Sequence, residues 1–289
     1  MHACQTVTDT RLEIQKLNTL PPMSMVAQEL LAVFGESDLD VHRIAAIIEK
    51  DPALLARIIG LANAAYFGYP ERVSNAEDAI FKVLGINIAR NLAFSMVLAG
   101  PFHTSHCPAF RVDEYWTSAM VAATLAQRLA RLVDVEPRPS GGNAYLAGLL
   151  HNLGLLALVH LYPAEMTRVF DRLGQEQAQG LVTIESTLLG ADHLQVGGWL
   201  GRKWHLPAFA VTAIEHHRDD SYDGEHQPLV RLIGFCAQWA GRLQREDDVA
   251  DLGTLFALGI PPAEAESVLG EMLTKRDEIA QLATMLAGH

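Results

Sequence analysis

The stretch Asn143-Ala-Tyr-Leu-Ala-Gly-Leu-Leu-His-Asn-Leu-Gly-Leu-Leu-Ala-Leu-Val159 decides how this chain is read. It is apolar almost throughout, yet it carries the adjacent polar residues His151 and Asn152 near its middle. Burying an imidazole and a primary amide in such company costs a few kcal/mol unless both find partners. The pair therefore belongs to a polar site inside the protein or to the remains of one. The plainer alternative is a core histidine satisfied by a backbone carbonyl. Asn143 is expected to cap the central helix that this run forms.

Outward from this stretch, helix signals dominate and long β-branched alternation is missing, so the fold class is all-α. Leu20-Pro21-Pro22 precedes an apolar-periodic segment from Met23 to Phe34 that Gly35 closes. Asp40 is placed to cap a helix with Val41, Ile44, Ala45, Ile47 and Ile48 on its inner face. Asp51-Pro52 supplies an N-cap and a first-turn proline for a helix running to about Tyr66. Asn63 within it reads as a hydrogen-bonding anchor. Ser74-Asn-Ala-Glu77 reads as a capping box for a helix ending at Gly85. A further helix, about Asn87 to Leu98, completes an N-terminal lobe.

Beyond a connector at Pro101 to Pro108, Asp113 is placed to cap a helix from Glu114 to Val133. After the central stretch, Pro163 starts another helix. Shorter ones are expected around Gln175–Leu188, Asp192–Lys203 and Pro207–His217, then a long one from Pro228 to Arg245. The acidic break Glu246-Asp-Asp-Val-Ala-Asp251 precedes a C-terminal amphipathic pair, in which Pro261-Pro262 opens a helix to about Leu286.

Composition narrows the function. At 289 residues, 49% hydrophobic and 19% charged, the chain can bury a large core and is not a disordered one. Its net charge of −12 argues against a sequence-independent grip on DNA or RNA. The helix–Gly–helix unit around Gly85 resembles a DNA-reading turn, but between Asp40 and Gly100 six Lys/Arg are balanced by six Asp/Glu. The three cysteines, Cys4, Cys107 and Cys236, are odd in number and widely spaced, which suits a reducing cytoplasm. Asp9, Arg11 and Glu13 leave no room for a signal-peptide core, and His, Asn or charge interrupts every long apolar run. The expectation is a soluble cytoplasmic protein with no membrane and no nucleic-acid partner.

Three more histidines fall in informative places: His193 directly after Asp192, and the adjacent pair His216-His217. Neighbours on a helix point about 100° apart, so one of that pair is expected to face solvent.

These segments together carry a resemblance. Gly148-Leu-Leu-His151-Asn152-Leu-Gly154 is similar to the His-Asp core of the HD phosphohydrolase superfamily. The HDOD branch of that superfamily, related to HD-GYP domains, is resembled more closely through several further stretches. They are Leu20-Pro-Pro-Met-Ser24, Asp51-Pro-Ala-Leu-Leu-Ala-Arg-Ile-Ile-Gly-Leu-Ala-Asn63, and Ala79-Ile-Phe-Lys-Val-Leu-Gly85. Asp192-His-Leu-Gln-Val-Gly197, Trp204-His-Leu-Pro207 and Ile214-Glu-His-His217 complete the series.

The resemblance implies an HD-like multi-helix domain over residues 12–245. Its N-terminal helical lobe would span 12–105 and its HD-like lobe 108–245, followed by a helical extension over 246–289. It also implies a signalling role in a bacterial cytoplasm.

An active HD enzyme holds a divalent cation with a His, an adjacent His-Asp pair and a later Asp. Mapped onto this chain, the first His falls on Ser118, the pair on His151 and Asn152, and the late Asp on Gln238. Hydrolysis needs a cation that lowers the pKa of its bound water, and Mg²⁺ or Mn²⁺ wants carboxylate oxygens that this set lacks. Imidazoles at His151, His193, His216 and His217 suit at most adventitious Zn²⁺ or Ni²⁺, so no cofactor is expected.

The expected site is thus a pseudo-active cluster of Ser118, His151, Asn152, His193, His216, His217 and Gln238. Within it, His151, Asn152, His193 and Gln238 are expected to satisfy one another. The function expected is non-catalytic regulation through a protein partner or a nucleotide. The alternative is a divergent phosphohydrolase acting on a nucleotide or cyclic dinucleotide, with Asp192, Asp219, Asp220 or Asp223 as substitute carboxylate.

Overall fold

A computed structural model describes residues 22–35, 40–175, 180–245 and 251–288, and those residues form helices without strands. Leu20-Pro21 and most of the acidic break, residues 246–250, lie outside the described residues.

The N-terminal lobe contains α1 (Met25–Ala32), α2 (Val41–Ile48), α3 (Pro52–Ala62), α4 (Ala76–Asp78) and α5 (Ile86–Ala99). Local chemistry starts each of the first four. Ser24 accepts from Ala27 N–H, Asp40 from His42 N–H, and Asp51 from both Ala53 and Leu54 N–H, with Pro52 in the first turn. The α4 cap is Asn75, whose Oδ1 accepts from Asp78 N–H at 2.8 Å, and not the Ser74 box expected. The chain then winds through a π-helical turn, Ala79–Leu84, closed by Gly85 N–H donating to Ile80 O at 2.8 Å. Gly85 sits at φ +76°, where only glycine is unstrained. α3 stops at Ala62 and not at Tyr66, because Asn63 turns its amide onto Ile59 O and pairs with both backbone groups of Val73.

A connector follows, pinned by buried Phe102 and Cys107 and by His103 N–H donating to His160 Nδ1 at 3.1 Å. The second lobe is built around α6 (Val112–Ala130), which packs against α7 (Gly141–Leu150), α13 (Gln227–Arg245) and α16 (Arg276–Ala287). Asp113 lies inside the first turn of α6 and pairs with Arg111 at 3.0 Å, so it does not cap the helix. Alanines at 119, 122, 123 and 126 let α7 come close: a Cβ on Gly148 would lie 2.5 Å from Ala123 Cα. Ser140, not Asn143, caps α7, its hydroxyl accepting from Asn143 N–H.

The remaining helices are α8 (Leu153–Leu161), α9 (Pro163–Gln175), α10 (Leu181–Leu189), α11 (His193–Lys203), α12 (Ala208–His216), α14 (Gly253–Ala257) and α15 (Pro262–Thr274). The C-terminal segment expected as one helix from Pro262 breaks at Lys275. From there α16 lies against both α6 and α3 and ties the two lobes together. A second tie is Asn91 Nδ2, which donates to Gly142 O at 2.9 Å. The run from Gly141 to Leu161 is long and apolar enough to cross a membrane, but 83% of its most apolar window is buried inside this fold.

Candidate functional site

The apolar run does not form one helix. α7 ends at Leu150, His151 and Asn152 turn, and α8 starts at Leu153. The turn places His151 in the core, 1% exposed, with Nδ1 2.7 Å from Gly148 O. A carbonyl only accepts, so Nδ1 carries the proton and Nε2 is a bare lone pair. His217, just past α12 and 2% exposed, repeats the arrangement: its Nδ1 lies 3.0 Å from Ala213 O and 3.2 Å from Ile214 O. The two rings meet edge to face with centroids 5.2 Å apart, and neither Nε2 has a protein partner.

His193 opens α11 behind the Asp192 N-cap, whose Oδ1 accepts from Leu194 and Gln195 N–H. Both its backbone N–H and its Nδ1 address one oxygen of Glu185, at 3.0 and 2.5 Å. Glu185 is fully buried on α10, and its Oε1 has no partner. Sequence reading missed this carboxylate. The signal was there: Leu181, Ile184, Glu185 and Leu189 fall at i, i+3, i+4 and i+8, so the charge sits on the apolar stripe of its helix.

Glycines bring these elements together. A Cβ on Gly154 would lie 1.9 Å from His193 O and 2.5 Å from Gly197 N, so α8 and α11 touch backbone to backbone. Gly234 does the same for α13 against His217 O, at 2.4 Å. Burial then sets the electrostatics. Desolvation lowers the His151 pKa to about 4, against a smaller opposing push from the Gly148 bond. Burial, and after it His151, hold His217 well below its ordinary value. Both rings are neutral at pH 7.

The other expected members stand apart. His216 turns away and stacks on Tyr222 with centroids 4.4 Å apart. Ser118 is half-buried on α6, and Gln238 is exposed at the rim of a cavity. Asn152 is half-buried, and its Oδ1, though shielded, has no partner. In place of the mutual satisfaction expected of His151, Asn152, His193 and Gln238, His151 bonds Gly148 O three residues back and His193 bonds Glu185 from the neighbouring helix.

The divalent cation that HD chemistry requires does not fit this donor set. Among the described residues no three His, Cys, Asp or Glu side chains gather as ligands. Of the two buried carboxylates beside His193, Glu185 is engaged with that histidine and Asp192 with the first turn of α11, and an amide stands next to His151. Beside His217, a cavity of about 340 Å³ opens between the end of α12, α13 and α14. Arg231 lines it, with a shielded Nε that has no partner.

Comparison with known proteins places this geometry in context. A family model described as HDOD domain matches residues 20–220. A solved candidate signal transduction protein from Marinobacter aquaeolei VT8 is 27% identical, with a TM-score of 0.83 over 94% of this chain and 61% of that one. An HDOD domain protein of unknown function from Geobacter sulfurreducens is 20% identical, TM-score 0.78, covering 96% and 98% of the two chains. A candidate phosphohydrolase from Shewanella amazonensis SB2B is 21% identical, TM-score 0.75, covering 94% and 97%. An uncharacterized protein of Treponema pallidum is 23% identical over 76% of this chain, which spans 42% of that protein's length.

Proposed function

The chain belongs to the HDOD family, and from that premise we propose that it is a non-catalytic regulatory module of a bacterial cytoplasm that acts by binding. The observation that carries this reading is the donor set around His151. Two neutral imidazoles meet there, and an amide follows His151 in the chain, where hydrolysis needs carboxylates on a metal. The expected partner is a protein, with a nucleotide as the alternative ligand. A net charge of −12 suits a partner with a basic face. Exposed apolar side chains on the last helices, Phe256, Leu273 and Met285, suit partner contact there.

A phosphohydrolase would need a substitute carboxylate. Asp192 is committed to capping α11, Asp219 bonds Ser221, and Asp220 and Asp223 are exposed. No observation favours that reading.

The test is the metal content of untagged protein, measured by mass spectrometry beside His151→Ala, with hydrolysis of bis(p-nitrophenyl) phosphate assayed in Mn²⁺. Negligible metal and no turnover in either protein are expected. Near-stoichiometric metal that disappears in the variant, with turnover abolished by chelator, overturns the proposal.

A further inference from the structure

Arg231 projects from α13 into the cavity beside His217 and forms no hydrogen bond or ion pair among the described residues. This is unusual, because three carboxylates line the same cavity. Asp219 and Asp220 come from the turn after α12, and Asp251 from the start of α14. Asp219 accepts from Ser221, at 2.6 Å from its hydroxyl and 3.0 Å from its N–H, and Asp251 accepts from Gly253 N–H at 2.9 Å. Asp220 has no such engagement among the described residues. A guanidinium and three carboxylates therefore line the same cavity of about 340 Å³ without pairing with one another.

Leaving a partly desolvated guanidinium unpaired is costly, and so is leaving the buried Nε2 of His217, another lining residue, without a partner. A simple anion would satisfy Arg231 but meet three carboxylates, and a simple amine would meet the reverse. A molecule carrying both charges answers both kinds of group, with the planar fork of Arg231 suited to a carboxylate. The volume lies in the range of small-molecule pockets. Val230, Phe235 and Ala257 give it an apolar side, and Gln238 and Thr254 a neutral polar one.

We propose that this cavity binds a small zwitterion of the α-amino-acid class, its carboxylate on Arg231 and its ammonium on Asp220. The inference rests on the regulatory reading, in which the site binds its ligand without converting it.

The test titrates the full chain calorimetrically with each of the twenty amino acids, and with acetate and methylamine as half-ligands. Arg231→Gln, Arg231→Lys and Asp220→Asn are titrated alongside. At least one amino acid is expected to bind with Kd of about 1 mM or tighter, at least tenfold tighter than either half-ligand. Arg231→Gln and Asp220→Asn should each weaken it at least tenfold, and Arg231→Lys less than Arg231→Gln. If Arg231→Gln does not fold, Asp220→Asn and the half-ligands decide. Absence of binding by all twenty, acetate binding as tightly, or an unchanged affinity in Asp220→Asn each overturns the proposal. None of these results alters metal content or turnover, so the regulatory reading stands or falls separately.

Discussion

The two lobes treat buried polar groups in opposite ways. In the N-terminal lobe such groups are closed off. Asn63 pairs with Val73 and Ile59, Ser95 with Leu92 O, and Arg90 lies 4.1 Å over the Phe34 ring. In the second lobe, His151, Asn152, Glu185, His217 and Arg231 each keep a shielded polar atom without a partner. Among the described residues no such atom lies before Arg128. Native cores rarely leave these groups open, so the open ones mark the region shaped by something other than stability. The first lobe is a scaffold. The second holds the outline of a site.

The contrast can be broken most forcefully at the α8–α11 crossing. Gly154→Ala should cost about 3 kcal/mol or more, because the added methyl meets the backbone of His193 and Gly197 and nothing there can give. Chemical denaturation reads this directly, and an effect under about 1 kcal/mol would show the crossing to be looser than described.

Acid should separate the lobes next. The unfolded chain protonates His151 near its ordinary 6.5, while the folded chain does so only near 4. Stability is thus complete above pH 6.5 and is lost as pH falls toward 4, by about 3 kcal/mol for this residue. His217 adds to the loss in the same direction. Thermal unfolding between pH 7 and 4 should show the slope, and His151→Gln should flatten it. An unaltered slope in that variant assigns the effect elsewhere.

A smaller loss is expected in the scaffold. Asn63→Ala leaves both backbone groups of Val73 unpaired and should cost about 2 kcal/mol, independent of pH between 7 and 4. The smallest effect has the opposite sign. Gly60 lies in α3 with no atom within 4 Å of an added Cβ, so Gly60→Ala should stabilise by about 0.5–1 kcal/mol. A destabilising result at Gly60 would erase the distinction between glycines that pack and glycines that do not.

Much of the helical framework was legible because caps are local. Asp40, Asp51-Pro52 and Asp192 act within three residues of where they stand, and each starts the helix that the sequence assigns it. Two of the misassigned caps, Asn143 for Ser140 and Ser74 for Asn75, are choices between capping-competent neighbours that local rules do not rank, while Asp113 falls inside the first turn of its helix. The break at His151 was hidden because apolar periodicity runs straight through it. What divides α7 from α8 is an imidazole bonding back to Gly148 O.

The site was legible in its residue types and not in its wiring. His151, His193 and His217 are buried, but Glu185 and Arg231 matter only through elements distant in sequence. Tautomers, likewise, follow from which carbonyl a ring finds. A carboxylate placed on an apolar stripe was the one clue to Glu185 available without coordinates.

The carbonyl bonds of His151 and His217 have a spectroscopic consequence. Each holds an Nδ1–H proton against a carbonyl, shielded from water, so exchange with solvent is slow. Such protons give separate downfield signals in nuclear magnetic resonance, where most histidine ring protons vanish into the water line. The fold thus carries two native reporters at its centre, able to register a ligand's arrival without a label.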